Sequence, residues 1–318
     1  MKMDRTHDIS QMIKAEAISL GFSACGIAEA EEIDEKNASA FCKWIESGHN
    51  ATMEYMANHL DKRLNPRLLH PNCKSIISLA LNYYPQQLLR PDQLQFALYA
   101  YGRDYHDVMK QMMRQLAEYI MNVLPDASLK LCCDTVPILD RYWAWKAGLG
   151  WIGKNTSLII PRAGSFFFLC EILIDKELEY DVPLSLHCGN CTRCLQACPT
   201  KALMAPYTID ARQCLSFLTI ENRDSELLPA LEGSNCIYGC DRCQLACPHN
   251  RFAQPTSNIL FKPSEDFMNM QPSDWRKLTV EKYRSLFKGS AVKRAKYEGL
   301  MRNIRSVGGK TEKSKHEE

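Results

Sequence analysis

The chain has 318 residues, 46% of them apolar and 24% charged, with a net charge of +2. At roughly 100–200 residues per domain this is two domains, or one large domain with an insert, and bulk disorder is excluded. The longest apolar runs, such as residues 75–81, fall far short of the roughly 20 residues that span a bilayer, and the N-terminal MKMDRTHDIS has no apolar export signal. A cytoplasmic protein without membrane contact is therefore expected.

The elements are predicted in chain order as follows. Residues 8–20 have a helical apolar face of Ile9, Met12, Ile13 and Ala17, and Gly21 ends that helix. GFSACGIA (21–28) reads as a short strand, and residues 39–48 and 51–60 read as helices. SIISLALN (75–82) is near-continuously apolar, as in a strand buried on both faces. A long amphipathic helix follows over 104–124, opened by Asp104. Residues 129–133 read as a strand with Asp134 at its end, and 138–147 as a helix. Residues 157–160 and 166–174 read as a strand pair joined through Arg162, Ala163 and Gly164. The expected fold class is α/β or α+β, with helices packed on a sheet. From about Tyr180 to Pro255 the chain turns rich in Pro, Cys and Gly, and short helices are expected after each cysteine run. The remainder reads as basic and helical from Ser273 to about Val307, ending in a disordered tail.

Fifteen cysteines are the anomaly, and nine of them lie between Cys188 and Cys247. In a reducing compartment such density means metal more often than disulfides. Cys188-x2-Cys191-x2-Cys194-x3-Cys198-Pro199 is the run of a bacterial two-cluster ferredoxin. Three closely spaced thiolates reach one cubane, and the fourth points to a second. A partial copy follows as Cys240-x2-Cys243-x3-Cys247-Pro248, with Ile237 where a further cysteine would stand, so Cys214 is needed to complete the eight ligands of two [4Fe–4S] clusters. The expected partition is Cys188, Cys191, Cys194 and Cys247 for one cluster, and Cys198, Cys214, Cys240 and Cys243 for the other. A zinc site would want two separated cysteine pairs and fits less well. Cys236 with Cys240 and Cys243 has the spacing of a radical S-adenosylmethionine motif, but only 75 residues follow Cys243, too few for the usual barrel. Cys236 is read as a chance neighbour. Cys25, Cys42, Cys73, Cys132, Cys133 and Cys170 lie on apolar elements and read as core.

Charge is divided as well. From Arg251 to the end there are 15 Lys or Arg against 8 Asp or Glu, a net of +7, which leaves −5 on the first 250 residues. A basic end on an acidic body fits a polyanion partner, although charge alone fits a solvated helix face better. About 180 residues precede the cysteine runs, too many for a simple electron carrier. No G-x-G-x-x-G opens a βαβ unit and no Walker loop is present, so nicotinamide and ATP folds are unsupported. The richest polar stretches are YGRDYH (101–106) and residues 133–154.

These stretches, with GFSACGIA, DTVPILDR, AGLGWIGKNTSLI, GSFFFLCEILID, CGNCTRCLQACPTKAL, CLSFLTIEN, IYGCDRCQLACPHN and GLMRNIRSVG, resemble the epoxyqueuosine reductases over about residues 10–308. The resemblance implies a cytoplasmic, monomeric enzyme that reduces epoxyqueuosine in the anticodon of tRNA to queuosine, with cobalamin and two [4Fe–4S] clusters as cofactors. It implies a catalytic domain at 1–178, a ferredoxin-like cluster domain at 179–255, a basic helical segment at 256–308 and a tail at 309–318. Asp134 falls on the family's catalytic carboxylate. Burial is expected to raise its pKa, since an ordinary carboxyl is a poor acid at neutral pH; by itself Asp134 reads as a turn or cap residue. Asp104, Tyr105, His106 and Arg141 are implied as substrate contacts. Gly153, Lys154, Asn155, Thr156, Ser157, Leu158, Leu169, Ser216, Thr219, Glu221 and Gly239 are implied to face cobalamin. Lys293, Arg294, Lys296, Arg302 and Arg305 recur at helical spacing, as a face for the anticodon stem-loop would. An external low-potential electron donor is implied. There are two departures. Many family members continue into a helical-repeat domain, and without it the anticodon loop is expected to carry recognition. His249 stands where the family usually has tryptophan. A small-molecule corrinoid dehalogenase and a plain electron carrier are the competing classes.

Overall fold

The computed structural model describes residues 2–308. The expected tail at 309–318 lies outside them. The centre is a four-stranded sheet of β1 (Ala24–Glu29), β2 (Ser75–Asn82), β3 (Leu129–Cys132) and β4 (Phe167–Ile174). Its order is β1-β2-β4-β3 and every pair is antiparallel. Strand alternation sends Ile77, Leu79, Leu81, Cys170, Ile172 and Ile174 to one face. Ile76, Ala80, Cys132 and Leu173 go to the other. Because both faces are covered, β2 is buried at seven of its eight positions, which is why it reads as an unbroken apolar run.

On the first face lie α1 (Lys2–Ser19) and α2 (Tyr105–Val123). Helix α2 inserts Val108, Met109, Met112, Met113, Leu116 and Ile120, one stripe at helical spacing. Asp104 caps it by accepting from the His106 backbone N–H at 3.1 Å. On the second face lies α3 (Asp140–Lys146), which buries Tyr142, Trp143 and Ala144. The turn after α3 sits so close to β1 that a Cβ on Gly26 would lie 2.0 Å from the Ala147 carbonyl oxygen, so only glycine fits there.

Two expectations from local pattern fail. Residues 51–60 are not one helix; a 3-10 turn at Glu54–Met56 is followed by a helix only at Leu60–Leu64. Ala51 and His59 both adopt positive φ, which a right-handed helix cannot continue through. Residues 157–160 do not pair with the strand beginning near 166. Leu158–Ile159 pairs instead with Trp151–Ile152, and only a single bridge joins Ile160 to Gly164.

Short helices lie within the cysteine runs rather than after them, at Arg193–Ala197 and Arg242–Leu245; only the second run is followed directly by one, the 3-10 turn Pro248–Phe252. The basic end consists of short helices and a final α4 (Lys296–Val307). It is not peripheral: Leu300 and Ile304 share one hydrophobic cluster with Ile13, Leu79 and Met109. Asn303 donates to the carbonyls of Thr219 (2.8 Å) and Ile237 (2.9 Å), stitching the end of the chain to the cysteine segment. No helix among the described residues is long and apolar enough to cross a membrane.

Candidate active site

Strand β3 ends at Cys132, and Asp134 follows with φ of +55°. That left-handed turn aims its carboxylate at the first turn of α2. There His106 Nε2 lies 2.9 Å from Asp134 Oδ2, and the Tyr105 hydroxyl donates to the same oxygen at 3.0 Å. His106 Nδ1 lies 2.7 Å from Asp104 Oδ1. Tyr105 is held between the His106 ring (centroids 4.1 Å) and Phe168 of β4 (4.4 Å, 10° between planes). The cap residue of α2 therefore also orients its imidazole.

The electrostatics contradict one expectation. Asp134 is not raised: its hydrogen bond from His106, with the His106 charge behind it, holds it below the ordinary carboxylate range against the opposing effect of burial. Hydrogen bonds to Asp104 and Asp134 raise His106 to about 9. Burial opposes the ionisation of Asp104, but His106 again wins and holds it low. At neutral pH the transferable proton resides on the imidazole.

This group opens into a cavity of about 1020 Å³. Asp104, Tyr105, His106, Asp134 and Arg141 line one side, with Ser157, Leu158 and Leu169. Glu221, Tyr238, Gln244 and Arg294 line the other, so the cysteine segment and the basic end complete the wall. Arg141 donates to the Thr156 carbonyl at 2.6 Å. Arg294 grips Glu221 through two hydrogen bonds of 2.9 and 2.7 Å.

Several residues expected to face the same ligand are placed elsewhere. Lys154 and Asn155 border a separate pocket with Cys188, Cys191, Cys194 and Cys247. Lys154 Nζ donates there to the carbonyls of Gly189 (2.6 Å) and Cys191 (3.0 Å). Thr219 is fully buried, and its hydroxyl accepts from the Gly239 N–H at 2.8 Å. Gly153, Thr156, Ser216, Thr219 and Gly239 are not in the lining of the large cavity; they shape the turns and the short helix behind it. Arg302 is not on an exposed basic face. It is 2% exposed and donates to the carbonyls of Leu218, Asn222 and Asp224, closing the end of a short helix. Lys293, Lys296 and Arg305 are exposed. His249 packs edge-on against Trp151 at 4.9 Å, so the histidine keeps an aromatic contact after Cys247-Pro248.

The thiols suit iron–sulfur clusters. All fifteen are free of disulfides. Cys188, Cys191, Cys194 and Cys247 surround one pocket. Cys198, Cys214 and Cys243 pack beside it with Cys194. Cys240 packs against Cys236, which is buried beside Leu215 and Leu231.

Sequence reasoning passed over one feature. Asp140, in DTVPILDR, is half-buried at the cavity wall on α3, and Glu171, in GSFFFLCEILID, is fully buried on β4 beside it. Neither Glu171 oxygen has a hydrogen-bond partner, and Ser78 Oγ, its neighbour in register on β2, has none either. Burial first, and the charge of Asp140 second, push Glu171 well up, and burial pushes Asp140 up as well. Both folded-state values exceed the unfolded ones, so their contribution to stability is complete below about pH 4 and is lost as pH rises through the folded values. Glu171→Gln is therefore expected to melt with wild type at pH 4 and to become the more stable of the two as pH rises to 8, by about 1.4 kcal/mol for each pH unit between the unfolded and folded values. Anaerobic melting at one scan rate across that range checks this; a gap that does not change with pH contradicts it.

An acid–imidazole pair facing a cavity that Glu221, Tyr238 and Gln244 of the cysteine-rich segment help to close, beside thiols spaced for two cubanes, defines a redox enzyme fed by iron–sulfur clusters. A family model described as "Epoxyqueuosine reductase QueG, DUF1730" matches residues 63–135. One described as "4Fe-4S double cluster binding domain" matches residues 187–250. The chain is 45% identical over 297 residues to an epoxyqueuosine reductase of Cellulophaga algicola, covering 93% of this chain and 96% of that protein. It superposes with a TM-score of 0.84 at 27% identity on an epoxyqueuosine reductase solved with an epoxyqueuosine-modified tRNA-Tyr stem loop, covering 93% of this chain and 80% of that one. The TM-score is also 0.84, at 26% identity and the same coverage, for the Bacillus subtilis enzyme solved with its Asp134 catalytic loop swung out of the active site. The chain belongs to the epoxyqueuosine reductase family.

Proposed function

We propose that this chain reduces the epoxide of epoxyqueuosine at the wobble position of tRNA, giving queuosine, with cobalamin and two [4Fe–4S] clusters as cofactors. The observation that carries the reading is the shared cavity: one wall presents Asp134 and His106, and the other comes from the cysteine segment. Its 1020 Å³ lies at the top of the range of roughly 300–1,000 Å³ for small-ligand pockets, which suits a large ligand. When bound, cobalamin supplies a strongly reducing, nucleophilic metal centre.

The chain's own residues do the rest. Ser157, Leu158, Leu169 and Glu221 border the corrin. Tyr105, Arg141 and the Asp104–His106 pair hold the nucleoside's polar edge. Asp134 hands a proton to the epoxide oxygen as its carbon–oxygen bond opens. Cys188, Cys191, Cys194 and Cys247 hold one cluster; Cys198, Cys214, Cys240 and Cys243 hold the other. Residues 1–178 carry the chemistry, 179–255 the electron path and 256–308 the side facing RNA. The partner is a tRNA anticodon stem-loop, in line with the relative solved on one. An external low-potential donor supplies electrons to a monomer.

Anaerobic purification tests the cofactors: cobalamin absorption and about eight irons per chain are expected. Incubation with epoxyqueuosine-containing tRNA, followed by nucleoside analysis, tests the reaction. An unchanged epoxynucleoside with fully loaded protein overturns it.

The exposed cations have their own test. Lys293 and Lys296 are exposed and lie on either side of Arg294, which lines the cavity. The double variant Lys293→Gln, Lys296→Gln is expected to weaken tRNA binding. Its plot of log affinity against log salt is expected to be shallower by about one unit of slope for each phosphate that is no longer neutralised. An identical salt slope contradicts this.

A further inference from the structure

Replacing an epoxide by a carbon–carbon double bond breaks two C–O bonds and forms one C=C bond. It consumes two electrons and two protons and releases water. Both protons end on the departing oxygen, so the donor beside it is loaded twice per turnover. Asp134 is the group in place to deliver them, yet it is held ionised and has no proton of its own to give at neutral pH. The proton-bearing group in contact with it is His106, at 2.9 Å. Tyr105 also touches Asp134, but burial and the Asp134 charge push its hydroxyl far above its usual value, which leaves it a hydrogen-bond donor only.

Resting on the function proposed above, the geometry points to an Asp104–His106–Asp134 proton relay, in which His106 is the source of the protons that Asp134 passes to the departing oxygen. Each part of the geometry has a task. In the imidazolium Asp104 accepts from Nδ1–H at 2.7 Å, which orients the ring and aims Nε2–H at Asp134; once Nε2–H is given up, Nδ1–H is the tautomer that remains. Asp104 is anchored in turn: its backbone N–H donates to the Gly289 carbonyl at 2.7 Å, and its carboxylate also caps α2. The Asp134 side chain is 59% accessible against 31% for Asp104 and 25% for His106, so solvent reloads Nε2 on the Asp134 side while Nδ1–H stays on Asp104. The left-handed turn at Asp134 is what brings the carboxylate onto Nε2 rather than away from it.

The charged groups around the imidazole do not undo this. From α2 itself come Asp104, Tyr105 and Lys110, the last acting on Asp104. From the turn after β3 comes Asp134, with Cys133 beside it. From the basic end comes Arg294, whose charge reaches Asp134 but is bound bidentately by Glu221, and Tyr55 lies beyond that pair. Phe168 of β4 offers no charge. His106 itself meets two carboxylates and no cation within hydrogen-bond distance. It acts through Asp134 and does not touch the reacting atoms.

Three measurements on the loaded enzyme test the relay. First, carbethoxylation of His106, mapped by mass spectrometry against pH, reports its proton directly because only neutral imidazole reacts. Half-protection near pH 9 is expected in wild type, and at a clearly lower pH in Asp104→Asn. Second, turnover of wild type is expected to fall above pH 9, with that alkaline limb moved down in Asp104→Asn. Third, His106→Gln is expected to lose on the order of 10²-fold in kcat, over and above any rise in KM from its lost contact to the nucleoside, and added imidazole is expected to restore part of it. A His106→Gln enzyme with unchanged kcat and pH profile overturns the relay. So does a variant impaired only in KM, which is the signature of a plain substrate contact. Absence of conversion by wild type would instead overturn the proposed function, and the carbethoxylation profile would still report on the relay's geometry.

Discussion

Asp134→Asn is expected to lose roughly 10²- to 10⁴-fold in conversion of epoxyqueuosine while keeping its clusters, cobalamin and tRNA affinity. Asparagine is the informative replacement for a backbone reason. Position 134 sits at φ +55°, a region that Asn enters more readily than most residues, so the turn survives the substitution. The amide also keeps a polar contact to His106 and Tyr105 but cannot carry a proton from one side to the other. Loss of activity in Asp134→Asn then reports proton transfer rather than folding. Single-turnover nucleoside analysis against wild type, with equal iron and cobalamin content, is the measurement. Activity within tenfold of wild type would falsify the assignment of Asp134 as the terminal donor.

The second large effect concerns the cysteines. Cys214 packs with Cys198 and Cys243 although its sequence spacing belongs to no motif. Cys214→Ala is expected to retain roughly four of about eight irons and to lose turnover, because one cubane is left with three protein ligands. Cys236 tests the same assignment from the other side. It is 5% exposed and touches Cys240, and it packs in a cluster with Leu215, Leu228 and Leu231 while the Arg242 and Ser234 side chains reach its thiol. Cys236→Ala is expected to keep the full iron content. The comparison is made by iron determination and absorption on anaerobic protein. If Cys236→Ala loses half its iron and Cys214→Ala does not, the two cysteines exchange roles and the ligand set is wrong.

Much of the site was legible in one dimension because its determinants are local. A ferredoxin-type run needs thiolates at fixed spacing on a turning chain, so Cys188 to Cys198 and Cys240 to Cys247 are visible without a fold. Helix α2 was equally legible, since its cap and its stripe of methionines and leucine follow the helical repeat. Asp104, Tyr105, His106, Arg141 and Asp134 were named from motif resemblance, and all five line the cavity.

Errors came where distance in sequence separates partners in space. Arg302 lies in a basic helix and reads as RNA-facing, yet the end of another helix and the turn after it supply three carbonyls that draw it inward. Thr219, Glu221 and Gly239 were expected to face one ligand, but only Glu221 reaches the cavity; the hydrogen bond between the other two turns them away from it. Residues 51–60 have helical composition, but two left-handed residues interrupt them, and nothing in an Ala or a His announces positive φ.

Spacing and composition are enough to dictate most of the elements, the cysteine runs and the acidic-to-basic polarity of the chain, because each is a property of neighbours along it. The protonation of the site is a property of the folded molecule. An aspartate at a strand end carries no sign of its pKa, and burial alone would have raised it. Only folding sets His106 between Asp104 and Asp134, and the two short contacts move the proton from carboxyl to imidazole.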